Sequence, residues 1–284
     1  MIERPFSIDL PDGAMLHGEV RSPEGDPPSS AVVVVHGFKG FKDWGFFPHL
    51  CECLTRDGHA VVSFNFSLNG IGEDPTAFTD LEAFGRNTLC REVEEILRIL
   101  HEVRDGGITP LPPTRVGLLG HSRGGGGAIV AARDDGMVDA LVTWAAVATF
   151  DRFTPEVKEE WRREGRIYVE NARTGQQMPL DVGLLVDFEA NRERLDIEAA
   201  AGAVTGVPWL IVHGEDDRSV SVADARRLAR ANPRAAVELI PGAGHTFEAV
   251  HPFERPTPAL GRAIRVTGEH LLRYLCPEPR APDD

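Results

Sequence analysis

A serine stands between two glycines at Gly120-His121-Ser122-Arg123-Gly124. An alcohol of ordinary acidity is a weak nucleophile unless a base lies beside it. The Gly-x-Ser-x-Gly spacing suits a sharp turn from strand into helix. There the serine backbone is strained, Oγ projects above the sheet, and side chains two residues to either side would collide. Arg115–Leu119 reads as that strand and Ser122–Arg133 as that helix, rich in glycine and alanine. The base must be a histidine presented from another loop. Of ten histidines, His245 alone sits in the loop after the last strand, in Gly242-Ala243-Gly244-His245-Thr246. His36 and His121 adjoin the other loops and read as shaping them; His17, His49, His59, His101, His251 and His270 read as surface or loop residues.

The imidazole needs an orienting carboxylate. After the strand Val207–His213 come Glu215, Asp216 and Asp217. Asp217 is preferred, because it lies three residues past Gly214 and leads into a hydrophobic position and a helix. Asp216 remains its rival, and Glu215 reads as a helix cap. A developing oxyanion must meet preorganised donors. The N–H of Arg123 is one. The other is assigned to Phe38, in His36-Gly37-Phe38-Lys39-Gly40, where Gly37 permits a close backbone approach.

The elements that must carry these residues alternate. Ala31–Val35 is a continuous β-branched run, as expected of a strand buried on both faces. Similar runs recur at Ala60–Phe66, Val116–Leu119, Ala140–Val147, Val207–Val212 and Ala236–Ile240. Phe6–Leu10 and Leu16–Val20 read as two earlier strands around a Pro-Asp-Gly turn. Helical periodicity falls between the runs, at Phe47–Arg56, Asp80–Arg104, Val222–Ala231 and Leu260–Leu275. Strand–helix alternation implies βαβ units and a mostly parallel sheet with helices on both faces. Residues 149–204 break the pattern and read as a short cap-like insertion with a helical stretch at Leu184–Arg194. The expected organisation is one domain over 1–276, insertion included, with a flexible Pro-rich, acidic tail at 277–284.

These landmarks resemble those of the α/β-hydrolase superfamily. His36-Gly37-Phe38, Gly120-His121-Ser122-Arg123-Gly124, His213-Gly214-x-x-Asp217-x-x-Val220 and Gly242-x-Gly244-His245 match its motifs in the chain order serine, acid, histidine. The resemblance implies an α/β-hydrolase fold with an eight-stranded sheet. It also implies a two-step acyl transfer by Ser122, His245 and Asp217, with no cofactor. The short insertion and the loop Asn65–Gly72 are most similar to the dienelactone-hydrolase-like and cinnamoyl or feruloyl-esterase-like branch. Two features depart from that branch. The nucleophile is serine where dienelactone hydrolases use cysteine, and Ser67-Leu68-Asn69-Gly70 stands where many relatives carry Asp-x-Arg-Gly. Serine esterase action is the leading expectation. Peptidase or amidase action of the prolyl-oligopeptidase type follows, then thioesterase or acyltransferase action, and last a non-catalytic binding protein. Four successive glycines, Gly124–Gly127, imply tight packing around the nucleophile helix.

Composition bounds the partners. The 284 residues carry 30 Lys and Arg against 44 Asp and Glu, a net charge of −14. Such a chain repels phosphate backbones and anionic lipid, so no nucleic acid and no membrane is expected. Four cysteines without a Cys-x-x-Cys give neither a disulfide scaffold nor a zinc ribbon. No metal cluster or phosphate-cradling glycine loop is visible in the sequence. With no basic, apolar leader at Met1-Ile2-Glu3-Arg4-Pro5, a cytoplasmic location is expected. The partner expected is a small-molecule ester, with self-association as a homodimer left open. Aromatic residues for its pocket are sought at Trp44 and Phe46 in the loop Phe38–Phe47, and at Trp161, Tyr168 and Phe188 in the insertion.

Overall fold

The structure, a computed structural model, describes residues 1–276; the tail expected at 277–284 lies outside the described residues. The apolar runs become the middle of one sheet. Its strands are β1 (Ile2–Asp9), β2 (Met15–Ser22), β3 (Ser30–Val35), β4 (Ala60–Asn65), β5 (Arg115–His121), β6 (Ala140–Trp144), β9 (Trp209–Gly214) and β10 (Ala236–Ile240). A separate hairpin, β7 (Arg166–Asn171) with β8 (Gln176–Asp181), lies between β6 and β9 in the chain. The eight strands run in the order β1-β2-β4-β3-β5-β6-β9-β10. β2 is antiparallel to both β1 and β4, and the remaining pairs are parallel. This is the α/β-hydrolase fold.

Every residue of β3 is buried because successive side chains point to opposite faces and both faces are covered. Val33 and Val35 join a core that includes α3 (Leu89–Arg104), α4 (Arg123–Asp135), α7 (Ile197–Ala203) and α8 (Val222–Ala231). Val32 and Val34 join the opposite core, with α1 (Phe47–Arg56) and α9 (Pro258–Leu275). No described helix is long and apolar enough to cross a membrane.

Three local expectations are corrected. The helix expected over 80–104 is two helices, α2 (Leu81–Arg86) and α3. Thr88 is extended at φ −129° and ψ 163°, and its side chain caps the Arg91 N–H, so a second helix starts there. The strand expected over 140–147 ends at Trp144, after which Ala145 turns at φ +46°. The helical stretch expected at 184–194 is α6 (Val182–Ala190), preceded by α5 (Pro155–Glu164) and the hairpin, neither of which the sequence reading anticipated.

Candidate active site

Ser122 sits between β5 and α4 at φ 57° and ψ −123°, a conformation that L-residues rarely adopt. Backbone bonds hold it there. Its N–H donates to the Trp144 carbonyl at 2.9 Å, and its carbonyl accepts the N–H groups of Gly125 and Val147 at 3.0 and 3.3 Å. The flanking glycines are steric requirements. A Cβ at Gly120 would lie 2.5 Å from the Gly124 carbonyl oxygen, and one at Gly124 would overlap the His36 carbonyl. The next three glycines each meet a different neighbour: Ala146 at Gly125, Ile197 and Val147 at Gly126, and Ile96 at Gly127.

Three side chains from three loops are joined by hydrogen bonds. Ser122 Oγ lies 3.0 Å from His245 Nε2, and His245 Nδ1 lies 2.7 Å from Asp217 Oδ2. Asp217 Oδ1 accepts the N–H groups of Ser219 and Val220 at 2.8 and 2.9 Å. His213 Nε2 donates to the Val220 carbonyl and stands 3.4 Å from Asp217 Oδ2. Burial pushes the Asp217 carboxyl up, but the hydrogen bonds from His213, His245 and the Val220 N–H, with the His245 charge, hold it well below the usual carboxylate range. It is therefore ionised. Asp216 and Glu215 are exposed, so of the three acids only Asp217 reaches the imidazole. The exposed pair act through their backbones, donating to the carbonyls of Ala243 and Ile240 and tying the acid loop to the histidine loop.

The two rival histidines support these loops. His121 Nε2 donates to the His245 carbonyl at 3.0 Å. Burial, with the neighbouring His245 charge, lowers His121 to about 3, so it stays neutral. His36 Nδ1 donates to the Gly37 carbonyl at 2.9 Å, and burial lowers it to about 4. Phe38 and Arg123 are linked through their side chains, the guanidinium lying 4.2 Å from the ring centroid. Glu92, buried and held by Asn87 Nδ2 at 2.7 Å, pairs with that guanidinium. The backbone N–H groups of Phe38 and Arg123 donate to no carbonyl among the described residues.

Ser122 and His245 lie where two cavities meet. The larger, of about 400 Å³, has apolar walls from Leu89, Val147, Phe150, Phe153 and Leu184. The smaller, of about 240 Å³, is lined by Trp44, His121 and the hairpin residues Asn171, Ala172 and Arg173. Of the aromatic residues sought for the pocket, Trp44 lines one of these two cavities and the other four line neither. Phe46 is fully buried between Phe47 and Trp144, with ring centroids 4.5 and 5.5 Å away. Trp161 is an internal strut of the insertion, its Nε1–H donating to the Leu180 carbonyl at 2.8 Å. Phe188 is packed into the core around α3 and α4. Tyr168 is 59% exposed, because alternation along β7 turns Ile167, Val169 and Asn171 inward and Tyr168 and Glu170 outward. The sequence reading missed Phe150, Phe153, Asn171 and Arg173, which reach the site only through the folding of the insertion.

A family model described as the alpha/beta hydrolase family matches residues 32–261. The chain belongs to the alpha/beta hydrolase family. Among curated relatives, the hydrolase is 27% identical over 188 residues to an uncharacterised 31.7 kDa protein of the traX-finO intergenic region of Escherichia coli. That match covers 64% of this chain and spans 61% of the relative's length. Among solved structures it is similar to Est1E from Butyrivibrio proteoclasticus with ferulic acid bound, at a TM-score of 0.71 and 20% identity over 95% of this chain and 99% of that one. It is also similar to a dienelactone hydrolase from Anabaena variabilis, at a TM-score of 0.62 and 18% identity over 96% and 98%. At these identities the likeness is one of fold.

Proposed function

We propose that this hydrolase cleaves carboxylic esters through a serine-bound acyl intermediate. The observation that carries this reading is the unbroken hydrogen-bond chain from Asp217 through His245 to Ser122 Oγ, opening onto two cavities. His245 Nε2 takes the Ser122 proton as Oγ bonds to the acyl carbon. The carbonyl electron pair moves onto oxygen, where the N–H groups of Phe38 and Arg123 meet it. The oxyanion collapses, the bond to the leaving alkoxide breaks, and that oxygen takes the proton from His245. Water then repeats the cycle on the acyl-enzyme, giving the carboxylic acid and restoring Ser122. Asp217 fixes the imidazole tautomer and stabilises its cation. The cavities on either side of Ser122 take the two sides of the scissile bond, the larger accepting the more apolar one. The family membership supports the reading, as does the fold likeness to Est1E. Residues 1–276 act as one domain, with the insertion roofing the site.

The test is a rate panel of p-nitrophenyl esters from acetate to laurate, methyl ferulate and aminoacyl p-nitroanilides. Ester turnover is expected, with negligible anilide cleavage, and Ser122→Ala should lower kcat by on the order of 10⁴ or more. A Ser122→Ala variant as fast as the parent would remove Ser122 from the reaction. Anilide cleavage at matching rates would make the chain an amidase.

A further inference from the structure

The smaller cavity beside Ser122 is unlike the rest of this acidic chain. Lys39 and Arg173 line it, and no Asp or Glu does. Neither cation forms an ion pair with a carboxylate among the described residues. Lys39 Nζ donates instead to the Glu170 backbone carbonyl at 2.8 Å, and Arg173 Nη2 to the Lys39 carbonyl at 3.1 Å. Their own hydrogen bonds thus bring two like charges together without neutralising them. Burial pulls the Lys39 ammonium below its usual range, and the charges of Arg173 and Arg123 add to this against the opposing pull of the exposed Glu170. Arg123 differs, since Glu92 balances it.

Two residues in the wall of the same cavity also hold unsatisfied donors, buried behind its surface. Asn171 is 2% exposed and Trp44 8%. Asn171 Nδ2 and Trp44 Nε1 are buried without a hydrogen-bond partner among the described residues. Asn171 Oδ1 is already used, accepting the Arg173 N–H at 3.3 Å, so only the donor end of the amide is left. A buried donor without an acceptor costs about 1–3 kcal/mol. Two unpaired cations around about 240 Å³, with no acid in the lining, want a ligand that is negatively charged.

We propose that the substrate carries a carboxylate, seated in the smaller cavity against Lys39 and Arg173 while the ester bond lies at Ser122. This rests on the esterase reading for the reaction but not for the binding. The test compares esters of equal carbon number with and without the charge, on either side of the scissile bond. One pair is p-nitrophenyl hydrogen glutarate against p-nitrophenyl pentanoate. The other is 4-carboxyphenyl butyrate against 4-methylphenyl butyrate. In at least one pair the carboxylate ester should be preferred about tenfold or more in kcat/KM. That ratio should fall about tenfold in Arg173→Gln and in Lys39→Met, and should shrink as salt rises from 50 to 500 mM. Arg173→Gln, at an exposed turn, keeps the test open should Lys39→Met not fold.

Binding of the same esters to Ser122→Ala by calorimetry separates the two proposals. Preferential binding of the carboxylate ester, lost on adding Arg173→Gln, upholds the subsite even if the parent turns over no ester. Turnover of both members of each pair at equal rates, or preference for the neutral ones, overturns the subsite and leaves the esterase reading intact.

Discussion

The sheet with its loops and the insertion between β6 and β9 contribute to the same site by different physics. The first holds Ser122, His245 and Asp217 through backbone bonds and close backbone contacts: Ser122 N–H to Trp144, Asp216 N–H to Ala243, a helix pressed on the His36 carbonyl. The second reaches the site through side chains that line its cavities, Phe150, Phe153 and Leu184 on one side and Asn171 and Arg173 of the hairpin on the other. Reacting atoms need placement to a fraction of an ångström, and buried backbone provides it. Recognition of one substrate over another needs chemistry that can vary, and a half-exposed hairpin provides that.

Substitutions can break this division, and the largest effect should come from the acid loop. Asp217→Asn should lower kcat by on the order of 10⁴, because the amide cannot hold the imidazole in the required tautomer. Asp216→Asn, an exposed change whose backbone bond survives, should leave kcat within about twofold; steady-state rates on one good ester decide between them. The reverse order would transfer the orienting role to Asp216.

Glycine-to-alanine changes sharpen the contrast. At Gly124 the new Cβ must push aside the His36 carbonyl and with it the loop carrying Phe38, so kcat should fall about a hundredfold. At Gly183, in α6 of the insertion, no atom lies within 4 Å of a built Cβ. There the same substitution should raise stability by up to about 1 kcal/mol in urea titrations. A Gly124→Ala variant with parental kcat would show that the contact is slack.

Acid stability should belong to the sheet and its loops. Burial lowers His36 and His59 to about 4 and, with the His245 charge, lowers His121 to about 3. The insertion has no histidine between His121 and His213. An unfolded histidine titrates near about 6.5. Between about 6.5 and 4 the unfolded chain therefore binds protons that the folded chain refuses, so stability falls as pH falls through that window. Each histidine contributes a slope of up to about 1.4 kcal/mol per pH unit. Urea midpoints measured from pH 7 to 4.5 should drop accordingly; a flat series would contradict the buried neutral state. The smallest effect is expected at Tyr168→Ala, which should change kcat/KM by less than about twofold, since the ring faces outward from β7.

The same contrast explains what the sequence disclosed. Strands such as Ala31–Val35 are covered on both faces, so composition alone marks them. The four motif loops carry glycines that the close backbone contacts require, which make Asp217 and His245, joined with Ser122 in one hydrogen-bond chain in the structure, legible beforehand. The hairpin is half exposed and interrupts its few apolar residues with polar ones and a turn, so it does not stand out as a strand pair. Trp44 and Phe46 show the limit most plainly. Both are aromatic and two residues apart, and the turn at Gly45, at φ +49°, leaves one on the smaller cavity and the other in the core. The break before α3 depends on Thr88 acting as a cap, a competition between side chain and backbone that helical periodicity does not register.

The four glycines of α4 have a consequence for assembly. Glycine is about 1 kcal/mol less favourable than alanine in a helix, and four in succession leave the first turn with little tendency to form alone. Its order comes from the β3 loop, the end of β6, α3 and α7 closing around it. A chain that has made only part of its sheet would carry an ordinary seryl hydroxyl on a flexible segment, without the strained turn that sets it against His245. On the proposed mechanism, the reactivity of Ser122 would thus depend on the contacts that close around the start of α4, and would be lost where they open.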